Sequence, residues 1–185
     1  PAGAGAGGGN ATGGAASTSN AARATDVLLH NVATGRTTFL GPVADALFNK
    51  KGSMLAYTVD APVRDGNGLF VVELASNAIR VLDNDSLRYS RLTWSDDGNA
   101  LAVLKGREVE RMRERDNRLL VVPDVSADRR AQLDSKAVTP GFMISERATL
   151  AFSDDGQRVY FGLIPQTPAP DTARRRSIDS IADVD

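Results

Sequence analysis

One phrase occurs three times in this chain, and that repetition limits the fold more than any other feature. Its clearest copy runs from Thr93 to Leu104, TWSDDGNALAVL. Leu92 and Trp94 alternate with polar residues, Ser95-Asp96-Asp97-Gly98 has turn composition, and Leu101 and Val103 return as a second apolar run. Strand, Asp/Gly turn and strand make a β-hairpin, with Gly98 supplying positive φ and the Asp side chains bonding nearby amides. Leu150 to Phe161 is a second strong copy, and Leu47 to Tyr57 is a weaker one, with Asn49-Lys50-Lys51-Gly52 at its turn. A hairpin repeated in this way predicts a repeat architecture.

Between these copies stands a second hairpin type. Leu69 to Leu74 (LFVVEL), Ala75-Ser76-Asn77 and Ala78 to Leu82 read as strand, turn and return strand. Asp26 to Leu40 has the same form, turned at Ala33-Thr34-Gly35 and ended by Gly41-Pro42. The two hairpin types together give four antiparallel strands in roughly 45 residues, the period of a β-propeller blade. Such a sheet has two apolar faces, and neighbouring blades cover them. The expected fold is therefore all-β: a partial propeller of about three blades' worth of four-stranded antiparallel sheets, arranged as a half blade, two whole blades and another half. A closed ring takes about 4 to 8 blades, so we expect a segment of a longer polypeptide.

Residues 26–164 hold the expected blades. Residues 1–25 are mostly Gly and Ala, with too little apolar surface to offset the entropy of ordering, and are expected to be disordered. Residues 165–185 combine a proline-rich connector with a charged tail, whose last residues could open another strand. The pattern breaks at 105–118, where the distance between turn glycines lengthens. That stretch has helical composition, but Arg107, Arg111 and Arg115 repel at i,i+4 spacing, so a solvated helical or loop insertion is expected. A rim that meets a partner domain or gates substrate is the sharper alternative. Lys136 to Glu146 reads as a loop.

Composition narrows the function classes. The net charge of -1 and the lack of a basic face interleaved with aromatics argue against nucleic acid. There is no cysteine, which removes disulfides and thiolate metal sites. No run of about 18 apolar residues is present, so no membrane span is expected.

The search for chemistry finds no complete site, and no residue is assigned a catalytic, cofactor-binding or metal-binding role. His30 is the only histidine, beside Leu29 in an expected strand, and reads as structural or exposed. No G-x-S-x-G nucleophile elbow occurs. Asp96-Asp97 and Asp154-Asp155 precede glycines and are explained by turn chemistry. Asp83-Asn84-Asp85-Ser86 has the start of a calcium loop but neither its glycine nor its distal glutamate. Gly3, Gly5 and Gly8 fit a dinucleotide fingerprint without the required strand and helix. Arg174-Arg175-Arg176-Ser177 reads as a solvated tail rather than an anion site, and Trp94 as a blade-packing residue rather than a binding platform.

The phrases Trp94-Ser95-Asp96-Asp97-Gly98 and Phe152-Ser153-Asp154-Asp155-Gly156 resemble the Trp-Ser-Pro-Asp-Gly turn of bacterial WD-like propeller repeats. With Asp26-Val27-Leu28-Leu29, Leu55 to Ala61, Tyr89 to Ser95 and Glu114-Arg115-Asp116-Asn117, the order resembles the N-terminal propeller of bacterial prolyl oligopeptidase-family serine peptidases, over about Thr25 to Ile164. The resemblance implies a downstream α/β-hydrolase domain carrying Ser, Asp and His, capped by this propeller as a substrate filter and docking surface. It further implies peptide substrates and a periplasmic or secreted parent. None of the catalytic residues falls in this chain. The alternative is a non-enzymatic propeller that binds protein or peptide partners.

Overall fold

The computed structural model describes residues 24–61, 64–127 and 129–170. The Gly/Ala head and the charged tail, with the expectations placed on them, lie outside the described residues.

Alternating patterns do form strands. β1 (Thr25–His30), β2 (Thr37–Phe48), β3 (Met54–Val59), β4 (Gly68–Glu73) and β5 (Ala78–Asn84) pair in chain order as one antiparallel sheet. β6 (Arg88–Trp94), β7 (Leu101–Arg107), β8 (Asp116–Asp124) and β9 (Arg129–Asp134) make a second, four-stranded sheet. β10 (Phe142–Ile144) pairs with β13 (Leu163–Pro165), and β11 (Ala151–Phe152) with β12 (Val159–Tyr160). The only helical elements among the described residues are two 3-10 turns, Arg64–Gly66 and Ser135–Ala137.

Stacking follows from the period-2 alternation of side chains. Leu101 and Val103 of β7 face the first sheet and meet Ala56, Leu69, Val71 and Leu82. Ala102 and Leu104 face the opposite way and meet Ile144, Leu150 and Phe152. Both faces of β7 are thus covered, which is why its sequence is a continuous apolar run. The far face of the first sheet, with Leu55, Tyr57 and Val72, packs under Val27, Leu29 and Leu40 of the β1–β2 hairpin. Tyr57 and Phe70, opposite each other on β3 and β4, stack at 5.2 Å. The order is half blade, blade, blade, partial blade. This is a segment of a β-propeller.

Three local readings of the sequence change, and the connector after Pro165 gains partners. β2 continues through Gly41-Pro42, but it changes neighbours there, from β1 over Thr37 to Val43 to β3 over Val43 to Phe48. Thr38 bonds Asn77 at 2.7 Å, and Phe48 shares a pocket with the same Asn77. A straight strand would hold Thr38 and Phe48 roughly 30 Å apart, so β2 doubles back at Gly41, where φ is 86°. The second change concerns the charged insertion: β7 extends to Arg107 and β8 starts at Asp116, so the loop covers only 108–115 and contains no helix. Lys105, Gly106, Asn117 and Arg118 are strand residues. Third, the expected loop over Lys136 to Glu146 contains β10, whose Ile144 is fully buried. Finally, the segment after Pro165 is tied down. Arg113 donates to the Thr167 carbonyl at 2.9 Å, Ala169 to that of Arg111 at 2.8 Å, and Met112 bridges Pro168.

Candidate functional site at the loop-bearing end of the blades

The up-and-down order of the strands sorts the connections to two ends. The tight turns 31–36, 49–53, 74–77, 95–99 and 125–127 gather at one end. The other connections, 60–67, 85–87, 108–115 and 135–141, three of them the longest in the fold, gather at the other.

The turn end is built by one repeated device. In each phrase copy the turn glycine donates to the residue three before it, at 2.9, 2.9 and 2.8 Å for Gly52, Gly98 and Gly156, and its φ is 64°, 68° and 67°. Ser95 Oγ accepts from the Ala100 amide and Ser153 Oγ from the Arg158 amide, at 2.9 and 3.0 Å. In the weak copy Asn49 replaces that serine, and its Oδ1 accepts from the Met54 amide at 3.0 Å. Asp97 and Asp155 accept from Ser95 and Ser153 hydroxyls and from the Asn99 and Gln157 amides. Those bonds, the serine hydroxyl first, hold both carboxyls below the ordinary carboxylate range. Turn chemistry accounts for Asp97 and Asp155. Adjacent turns are also fastened together, by Asn49 Nδ2 to the Gly98 carbonyl at 3.3 Å and by Lys50 to Asp96 at 3.0 Å.

The loop end concentrates buried charge. Asp83 accepts from Tyr89 Oη at 2.6 Å, Lys105 Nζ at 2.9 Å and Arg130 Nη1 at 3.3 Å, and Lys105 also reaches Asp85 at 3.2 Å. These two carboxylates and two cations compensate one another, which burial of charge requires. Burial and then the hydrogen bond to Asp83 push the Tyr89 hydroxyl far above its ordinary pKa. Buried Arg88 pairs with Asp60 and Glu108, each at 3.6 Å. Asn67 accepts from the Ala61 amide at 2.7 Å and donates to the Leu87 carbonyl at 3.1 Å, joining the β3–β4 and β5–β6 connections. Asp83 and Asp85, the carboxylates of the calcium-like stretch, are thus engaged by Lys105, and Asp83 also by Tyr89 and Arg130.

Beside these networks a cleft of about 280 Å³ opens between β2 and β6, lined by Asp45, Asp60, Arg88, Ser90, Arg91, Arg115 and Glu146 among others. Arg115 pairs with Glu146 at 2.9 Å. A second cleft of about 410 Å³ lies under the 108–115 loop. That loop is pinned by Gln166, whose Nε2 donates to the Glu114 carbonyl at 2.8 Å while its Oε1 accepts from the Glu114 amide at 3.1 Å.

His30 lies at the turn end, exposed, with Nδ1 2.8 Å from Thr37 Oγ1. It therefore stands away from both clefts. Trp94 is buried in the core between blades, and its Nε1 donates to the Leu47 carbonyl at 2.9 Å. No cluster of three metal-ligating side chains occurs among the described residues, and none of their helices is long and apolar enough to cross a membrane. Sequence reading missed Lys105 and Arg88, and met Asp83 only as the start of a calcium-loop pattern. The available signal was a lysine closing the apolar run Leu101 to Leu104, where a strand buried on both faces admits charge only with a partner.

The sequence matches no family model and no curated protein. Among solved structures, hydrazine synthase of Kuenenia stuttgartiensis is similar at 14% identity and TM-score 0.51, over 74% of this chain and 43% of that one. TolB of Acinetobacter baumannii is similar at 11% identity and TM-score 0.47, over 74% of this chain and 31% of that one. The β-propeller domain of the trilobed protease of Pyrococcus furiosus follows at 7% identity and TM-score 0.46, over 79% of this chain and 49% of that one. The chain spans less than half of each of these structures, and at such identities the likeness is one of fold. Stacked antiparallel blades with tight turns at one end and polar loops at the other make this chain a propeller segment whose loop-bearing end holds the candidate site.

Proposed function

We propose that this chain is the propeller segment of a serine peptidase of the prolyl oligopeptidase type, and that its loop-bearing end is the docking and substrate-filtering surface of the parent enzyme. The carrying observation is the asymmetry of the two ends. The longest connections, the buried ion networks and both charged clefts lie at one end, while the other is closed by tight repeated turns. The phrases around Trp94 and Phe152 support the family. In this reading the nucleophile, its base and the orienting carboxylate belong to a hydrolase domain outside these residues, the substrates are peptides, and the parent is periplasmic or secreted. The last point rests on the resemblance alone.

The test is covalent labelling with a fluorophosphonate serine-hydrolase probe, applied to the full-length gene product and to these 185 residues alone. Labelling of the full product only is the expected result. Failure to label either would remove the peptidase and leave a propeller that binds protein or peptide partners. Labelling of the segment would show that one of its own serines is activated.

A further inference from the structure

We propose that the cleft between β2 and β6 binds a peptide carboxylate, held by Arg91 and Ser90.

Arg91 has φ of 59°, in the left-handed region that side chains other than Gly and Asn rarely occupy. Such conformations persist only where surrounding structure enforces them, and they gather at binding sites. Here the enforcement is visible. β6 slips register against β7 between Ser90 and Thr93, a β-bulge, and Asp45 of the neighbouring blade accepts from the Leu92 amide at 3.2 Å. A turn-forming residue would satisfy this backbone more easily, yet an arginine stands there. The bulge puts both Ser90 and Arg91 on the cleft.

The charges of the cleft are otherwise matched. Arg88 is neutralised by Asp60 and Glu108, and Arg115 by Glu146. Arg91 has no carboxylate partner among the described residues; its Nε donates to the main-chain carbonyl of Glu146, which aims the guanidinium and leaves its two Nη groups. Ser90 Oγ is buried and has no hydrogen-bond partner, a condition that buried hydroxyls rarely tolerate. Two Nη donors and a hydroxyl donor bordering one cleft match a carboxylate, which accepts several such bonds and favours the planar guanidinium fork. The one opposing charge is Asp45, whose Oδ2 is engaged with Leu92.

Binding is measured by titrating the full chain, fold checked by circular dichroism, with three tetra-alanine-based probes followed by NMR. The first has an acetylated N-terminus and a free carboxylate, the second is its C-terminal amide, and the third is an amide carrying one internal Glu. The free-carboxylate peptide is expected to bind at least about tenfold tighter than the plain amide, since hydrogen bonds to a charged group are at stake. Binding of the Glu probe at the level of the first would assign the source to a side chain, and binding at the level of the second would assign it to the peptide terminus. Arg91→Gln is expected to abolish the tenfold preference, Ser90→Ala to reduce it, and Asp45→Asn, which keeps an acceptor for Leu92, to strengthen it. Equal binding of carboxylate and amide would overturn the proposal, as would absence of binding at millimolar peptide. If Arg91→Gln unfolds the chain, the sign of the Asp45→Asn effect decides: a weaker or unchanged preference overturns it. The inference rests on the cleft alone, so its failure leaves the probe-labelling test of the peptidase reading untouched.

Discussion

Trp94 joins two blades with one side chain. Its ring is buried among Leu92, Leu101 and Val103, and its Nε1 reaches back to the carbonyl of Leu47 in the preceding blade. Trp94→Ala should therefore lower unfolding free energy by about 3 kcal/mol or more, as for other core aromatics, measured by urea unfolding of the full chain. A loss below about 1 kcal/mol would mean that the ring is not part of the core. Tyr89 gives a pH signature. Its hydroxyl is held protonated by burial and by Asp83, so its folded pKa lies above the unfolded value. The associated stability is complete below the unfolded pKa near 10 and is lost as pH rises beyond it. Wild-type stability should fall between about pH 10 and 11, and Tyr89→Phe should flatten that part of the decline. An identical decline in the variant would show that other groups control alkaline unfolding. The residue types in the phrase made Asp97 and Asp155 legible as turn residues from sequence. Asp83 was not legible, because its partners Tyr89, Lys105 and Arg130 lie on three other strands.

The elements differ in how much of them is local. A hairpin such as Ser95 to Ala100 closes on its own neighbours, and its serine, aspartate and glycine state the geometry in order. The 108–115 loop is different: its composition left helix and loop both open, and Gln166 and the Thr167 carbonyl give its backbone partners that a local reading cannot see. Gln166→Ala removes both side-chain bonds to Glu114. Limited trypsin digestion followed by mass spectrometry should then show faster cleavage after Arg111 and Arg113, because cleavage requires the loop to open locally. Unchanged rates would mean that the main-chain bridges alone hold the loop. β10 was hidden for the same reason. Three residues, Phe142–Ile144, become a strand only when Leu163–Pro165 lies beside them.

The whole molecule has an open face. Leu28 and Phe39 sit opposite each other on the β1–β2 hairpin, 63% and 62% exposed, on the side away from the core under Val27 and Leu29. In a stack of blades such a face is normally covered by a neighbour, and an uncovered apolar pair invites association. The double variant Leu28→Ser with Phe39→Ser should reduce concentration-dependent self-association in size-exclusion chromatography with light scattering, with little change in melting temperature. Equal association of the wild type and the variant would point to another surface.

The sequence by itself determined the strand alternation, the three turns and the blade period, because each depends on side chains within a few residues of one another. It also placed Trp94 in the core, since an aromatic in an alternating strand has few other destinations. Tertiary structure alone decided the bend of β2 at Gly41, the length of the 108–115 loop, the Lys105 and Asp83 pairing, and the cleft that Ser90 and Arg91 share with Asp45 of the neighbouring blade. Each of these depends on groups brought together across blades, and the energy that fixes them comes from burial and paired charge rather than from local conformational preference.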